Sequence, residues 1–113
     1  MKKVKLKEIA ENLNLELVTG DLDVEVERGC CGDLLSEVMR SCMKDSIWIT
    51  IQSHVNIVAV AVVVGIKAIV LCNGHNYSED TVEKAEEEKI TLLSTDLTPF
   101  EVSGRIYEIL KES

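Results

Sequence analysis

His54 and Asn56 lie two residues apart in Gln52-Ser53-His54-Val55-Asn56, a polar segment between an apolar strand and a long apolar run. A polar turn that leaves a buried strand and opens a helix presents imidazole and amide groups beside the first backbone N–H groups of that helix. Together these suit a phosphate or a nucleotide. In a parallel α/β sheet the strand-to-helix turns all emerge at the carboxyl edge, so Gly32-Asp33, Asn73-Gly74-His75-Asn76 and Thr95-Asp96 should converge on the same place. The expected ligand-binding set is therefore Gly32, Asp33, Gln52, Ser53, His54, Asn56, Asn73, Gly74, Thr95 and Asp96. Asp33, Asn73 and Asp96 serve equally well as helix caps or turn residues, and that role is favoured for them over binding. For His54 and Asn56 the two roles balance, because a cap needs only one of the polar residues supplied. His75 reads as a loop residue.

Catalytic signatures are sparse. The phosphate-binding P-loop, the dinucleotide-binding glycine motif, the serine nucleophile elbow and the H-E-x-x-H zinc motif are all absent. His54 with Asp96 would make an acid–base pair, but no nucleophile accompanies them. No catalytic residue, no cofactor and no metal is expected, and the chain leans away from being an enzyme. Cys30, Cys31, Cys42 and Cys72 lack C-x-x-C spacing and are expected to be reduced thiols that pack as small apolar groups, in preference to a zinc or redox site.

The elements that position these residues follow from periodicity. Leu6, Ile9, Ala10 and Leu13 predict a one-sided helix over 5–13. Leu15 and Leu17, then Leu22, Val24 and Val26, alternate about a Gly20-Asp21 turn and predict two short strands whose pairing stays open. Asp33 should cap a second helix, with Leu34, Leu35, Val38, Met39 and Cys42 as its buried stripe, ending near Lys44. Residues 47–51 and 68–72 read as buried parallel strands. Between them 57–64 is rich in β-branched residues, yet Gly65 and the short connections favour a helix. A helix over 78–89, a strand over 91–95 and a last helix opened by the Thr98-Pro99-Phe100-Glu101 capping box and running to Leu110 complete the chain. Gly104 inside that helix should mark a close approach by a neighbouring element. Three successive strand–helix units imply a three-layer α/β/α domain with a mostly parallel central sheet.

With 113 residues the chain should be one domain, 1–113. A net charge of −8 disfavours nucleic acid and anionic membrane as partners. The run Ile57 to Ile66 is about half of the ~20 residues a bilayer requires, so no membrane span is expected. The segment 1–13 lacks the apolar stretch of a signal peptide, and a cytoplasmic location is expected. The acidic run Glu86-Glu87-Glu88 reads as a solvated helix face. Since the helix 57–64 is apolar on every side and a sheet covers only one, a homodimer through that helix is expected.

Gly32-Asp33-Leu34-Leu35-Ser36, Thr50-Ile51-Gln52-Ser53-His54-Val55-Asn56-Ile57-Val58-Ala59-Val60-Ala61 and Lys84 to Leu93 together resemble the DRTGG domain family. Members stand alone or accompany phosphotransacetylase and CBS-containing inorganic pyrophosphatases, and are related to the N-terminal domain of HPr kinase/phosphorylase. The resemblance implies a dimer-forming α/β regulatory or ligand-sensing module like that N-terminal domain, with any catalysis on a partner enzyme or another domain. It supplies no catalytic residue. The Thr-Gly-Gly of the family name would fall where this chain has Cys72-Asn73-Gly74, so the role of that loop transfers least well. The alternative is a structural or protein-interaction module that has no small ligand.

Overall fold

The computed structural model describes residues 2–111. The chain opens with a two-residue strand β1 (Val4–Lys5) and helix α1 (Leu6–Leu13), followed by β2 (Glu16–Thr19), β3 (Glu25–Val26) and β4 (Arg28–Cys31). Four strand–helix steps follow from β4: α2 (Leu35–Ser41), β5 (Ser46–Thr50), α3 (Asn56–Val64), β6 (Ala68–Leu71), α4 (Glu79–Glu88), β7 (Thr91–Ser94) and α5 (Pro99–Lys111). The main sheet has the order β2-β7-β6-β5-β4, with every pairing parallel except the antiparallel β2–β7 edge.

Side-chain alternation along the central strands divides the interior into two layers. Ile47, Ile49, Val70 and Leu93 face α1 and α5, while Trp48, Ile69 and Leu92 face α2, α3 and α4. The expected α/β/α layering is therefore present. The stripe Leu6, Ile9, Ala10 and Leu13 of α1 is buried as its spacing predicts. The apolar segment 57–64 is helical, and Gly65 closes it at φ 91 with its N–H donated to the Ala61 carbonyl. Its β-branched residues tolerate the helix because Ile57, Val58, Val60 and Ala61 are buried against the sheet and neighbouring helices. Cover is wider than a sheet alone would give, since α2 and α4 both flank α3, yet Val62 and Val63 stay 44% and 71% exposed. Among the described residues no helix is long and apolar enough to cross a membrane.

Several expectations need correction. The open pairing of the early strands resolves into two different ladders: β2 pairs with β7, whereas β3 pairs with β1 in a separate two-stranded ribbon. The segment leading into β3 supplies what α1 lacks, because no side chain caps the helix and Leu6 and Lys7 donate their N–H groups to the carbonyls of Val24 and Leu22. The strand β4, Arg-Gly-Cys-Cys, was not expected: a charge, a glycine and two cysteines carry no strand signal, and its parallel ladder with β5 holds it. Leu34 and Met39, expected on the buried stripe of α2, are 68% and 49% exposed, and Val38 is the one fully buried residue of that helix. Gly104 has open space where a Cβ would sit, so among the described residues no neighbouring element makes the expected close approach there.

The cysteines also differ from the all-thiol expectation. Cys30 in β4 and Cys42 at the end of α2 form a disulfide with Cα atoms 5.8 Å apart, leaving Cys31 exposed and Cys72 buried as free thiols. Parallel pairing of β4 carries Cys30 under the C-terminus of α2, a juxtaposition that cannot be read from a twelve-residue spacing. At the carboxyl end the Thr98 capping box forms as predicted, with Thr98 N–H donating to Glu101 Oε1 and Glu101 N–H to Thr98 Oγ1, both at 3.2 Å. The Lys2 N–H donates to the Leu110 carbonyl at 3.3 Å, bringing the start of the described chain to the end of α5.

Candidate functional site

Nine of the ten candidate residues fall on the loops at the carboxyl edge of the parallel sheet and Asn56 opens α3 at the same edge, where the sequence places them, but they do different things. Asp33 is not the cap of α2: the N-cap position is Leu34, with no side-chain hydrogen bond to the helix. Instead Asp33 Oδ1 accepts from Thr50 Oγ1 at 2.8 Å and from the Ile51 N–H at 2.9 Å, locking the β4 loop to the end of β5. Thr50 is fully buried, so this bond satisfies a hydroxyl that would otherwise be stranded. Gln52 strengthens the same corner by donating Nε2–H to the Asp33 carbonyl at 3.1 Å, and Trp48 Nε1–H donates to the Gly32 carbonyl at 2.9 Å. Gly32, Asp33 and Gln52 are thus engaged in building the edge. Thr50 and Trp48, which were not expected at this corner, are its anchors, and the hydroxyl at the carboxyl end of the apolar run Ile-Trp-Ile-Thr was the available signal.

The next loop was expected to leave free N–H groups at the start of α3 as an anion cradle. It does not. The Asn56 N–H donates to His54 Nδ1 at 3.1 Å, the Ile57 N–H to the His54 carbonyl and the Val58 N–H to the Val55 carbonyl, each at 3.0 Å. His54 therefore acts as a local cap through its ring, while the Asn56 side chain has no hydrogen-bond partner among the described residues. Ser53 contributes its carbonyl, which accepts from the buried Thr81 hydroxyl at 2.9 Å and ties this loop to α4. Ser78 Oγ–H donates to Asp80 Oδ1 at 2.5 Å and holds that carboxyl below its usual range, with His54 nearby acting in the same direction. His54 thus has Asp80 as its acidic neighbour, and among the described residues it shares no hydrogen bond with Asp96.

The loops after β6 and β7 are joined to each other. Asn73 and Gly74 take left-handed conformations, φ 62 and 71, and donate their N–H groups to the carbonyls of Leu97 and Thr95 at 3.0 Å. A Cβ at Gly74 would sit 2.9 Å from Asp96 Oδ1, so glycine is what lets Asp96 lie over this turn. Thr95 turns its hydroxyl inward to the Leu97 N–H at 3.1 Å. The side chains of Asn73, His75, Asn76 and Asp96 remain exposed and without a hydrogen-bond partner among the described residues. His75, Asn76 and Asp96 border an open groove of about 460 Å³ whose other walls include Glu16 of β2 and Arg105 of α5. Arg105 is positioned by an Nη2–H donated to the Asn12 carbonyl at 2.7 Å, and no local sequence pattern marks it as part of the edge.

Beneath the loops the interior is neutral. Burial, reinforced by Cys31 and Asp33, pushes the Cys72 thiol up to about 12, so it stays protonated at ordinary pH. Burial likewise holds the Tyr77 phenol well above its usual range while its hydroxyl donates to the Leu93 carbonyl at 2.8 Å. Among the described residues no group of three or more His, Cys, Asp or Glu is placed to hold a metal ion. The arrangement offers donors, acceptors and an arginine for holding a polar ligand, whereas the acid–base geometry of His54 and Asp96 is not assembled.

The model of the DRTGG domain matches residues 8–109, nearly the full length of the chain. The chain belongs to the DRTGG domain family. Among solved structures, this DRTGG chain is similar to the CBS and DRTGG domains of the regulatory region of Clostridium perfringens pyrophosphatase, in a complex with the activator diadenosine tetraphosphate. The TM-score is 0.71 at 19% identity, and the match covers 88% of this chain and 44% of that one, so the DRTGG chain spans less than half of the neighbour's length. No curated protein sequence matches it. At this identity the likeness establishes the shared DRTGG fold.

Proposed function

We propose that this DRTGG chain is a non-catalytic regulatory or ligand-sensing module that takes a nucleotide or another phosphorylated metabolite at the carboxyl edge of its sheet and signals to a partner enzyme. The observation that carries the reading is the groove between the β6–α4 and β7–α5 loops. There Arg105 and His75 stand beside the unpartnered side chains of Asn76 and Asp96, a polar cleft on an otherwise interlocked edge. An arginine with donors to spare recognises phosphate oxygens more readily than a lysine would. Kinship with a regulatory region complexed with an activating dinucleotide supports the same ligand class. His54 and Asn56 on the adjoining loop extend the surface available to a ligand larger than one phosphate.

Thermal shift against nucleotides, dinucleoside polyphosphates, acyl phosphates and simple anions tests this directly. A ligand at a hundred times its Kd should add about 2.7 kcal/mol to stability. The gain should shrink in Arg105→Ala and in His54→Ala. If no compound on the panel raises the unfolding temperature, the sensing role loses its support.

A specific observation favours a second reading, a protein-interaction module. Val62 and Val63 on α3 and Leu34, Met39 and Met43 on and around α2 are exposed on one helical layer, and the expected homodimer would cover them. Light scattering at micromolar concentration should then report twice the chain mass, and Val63→Glu should return a monomer. A monomeric parent chain removes the homodimer from the account.

A further inference from the structure

Three of the four cysteines gather at one edge of the sheet, around a feature that the ligand reading does not use. Cys30 sits in β4, the edge strand beside β5, and its bond to Cys42 closes the segment that contains the Gly32-Asp33 corner and all of α2. Packing holds α2 weakly, since Val38 is its single fully buried residue and Leu34, Met39 and Met43 face outward. The disulfide is the covalent tie at the far end of the helix, beside the hydrogen bonds that the Met43 and Lys44 carbonyls accept from Ser46 and Arg28. Neither cysteine of the pair is fully buried, and both line an open groove of about 350 Å³ beside Met43 and Tyr107. Cys31, the next residue, remains an exposed thiol; alternation turns it to the other face of β4, yet at this sheet edge it borders the same groove as the disulfide.

We propose that Cys30 and Cys42 form a reversible redox tie, exchanged with low-molecular-weight thiols and disulfides through this groove, that sets the order of α2 and of the Gly32-Asp33 corner. In the oxidising direction the Cys30 thiolate attacks one sulfur of a small disulfide such as oxidised glutathione, forming a mixed disulfide and expelling one glutathione thiolate. The Cys42 thiolate then attacks the Cys30 sulfur, forming the protein disulfide and releasing the second glutathione. Two protein thiols lose two protons and two electrons, and the small disulfide gains them. Excess reduced thiol runs the same steps backwards. The claim is independent of any ligand at the carboxyl edge.

The test uses the whole chain equilibrated with oxidised glutathione or with dithiothreitol, acid-quenched, denatured, alkylated and weighed. The oxidised sample should hold the Cys30–Cys42 disulfide with Cys72 alkylated and the exposed Cys31 either alkylated or carrying one glutathione, and the reduced sample should label on all four. Hydrogen exchange at residues 34–43 should become roughly tenfold faster on reduction, because the helix loses its staple while the sheet does not. Cys42→Ser should exchange like the reduced parent and ignore reductant, and Cys31→Ser should keep the tie. Labelling of all four cysteines after oxidised glutathione, unchanged exchange at 34–43, or loss of the tie in Cys31→Ser would overturn the proposal. Should Cys42→Ser fail to fold, the comparison of oxidised and reduced parent decides alone.

Discussion

Replacing Trp48 with alanine should cost about 4 kcal/mol of stability, a large part of what a domain of this size possesses. Trp48 is fully buried in the layer between the sheet and α2, α3 and α4, and its indole N–H is the donor to the Gly32 carbonyl. Truncation therefore empties the largest side chain from that layer and frees the β4 loop at once. Trp48→Phe separates the two effects, since it keeps most of the ring and loses only the donor, for a cost of about 1–2 kcal/mol. Because this is the only tryptophan, unfolding in urea should be followed by circular dichroism, with the parent's fluorescence as a second probe. A loss below about 1.5 kcal/mol for the alanine variant would mean that the layer collapses around the hole, contrary to the prediction.

Gly20→Ala should cost about 3 kcal/mol or more, through strain and overlap together. Gly20 has φ 111, and a Cβ there would lie 2.6 Å from the backbone Cα of Thr91 and 2.6 Å from its hydroxyl. Thr91 cannot retreat easily: it is buried in β7, and its hydroxyl both accepts from the Asp21 N–H and donates to the Asp21 carbonyl, each at 3.0 Å. Substitution there should loosen the β2 edge as a unit. Gly104→Ala is the internal control, because open space surrounds that position and the better helix former should add about 0.5–1 kcal/mol. Denaturation midpoints moving in opposite directions for the two variants would support the contrast; equal midpoints would refute it.

Periodicity made most of the fold legible. The α1 stripe, the two central strands, the capping box and the helical α3 with its glycine end all carry local signals, and each forms as read. What stayed hidden depends on partners distant in sequence. Arg28–Cys31 becomes a strand because β5 offers a parallel ladder, and Cys30 meets Cys42 only after that ladder forms. The candidate site shows the same division. Its address at the carboxyl edge followed from topology, but whether a polar residue faces out or in was settled by tertiary partners. Asp33 turned from a helix cap into the acceptor for Thr50, and Arg105 arrived from α5, where no local pattern marks it as part of the edge. Even the N–H groups of α3 were used locally once His54 folded back on them.

The bond between the Lys2 N–H and the Leu110 carbonyl has an architectural consequence. Entry and exit lie side by side, so this fold can be spliced into a longer polypeptide at one point, as a bead whose two threads leave together, without pulling either flank apart. The carboxyl-edge loops take no part in that junction, so the polar groove can stay open whatever the threads join.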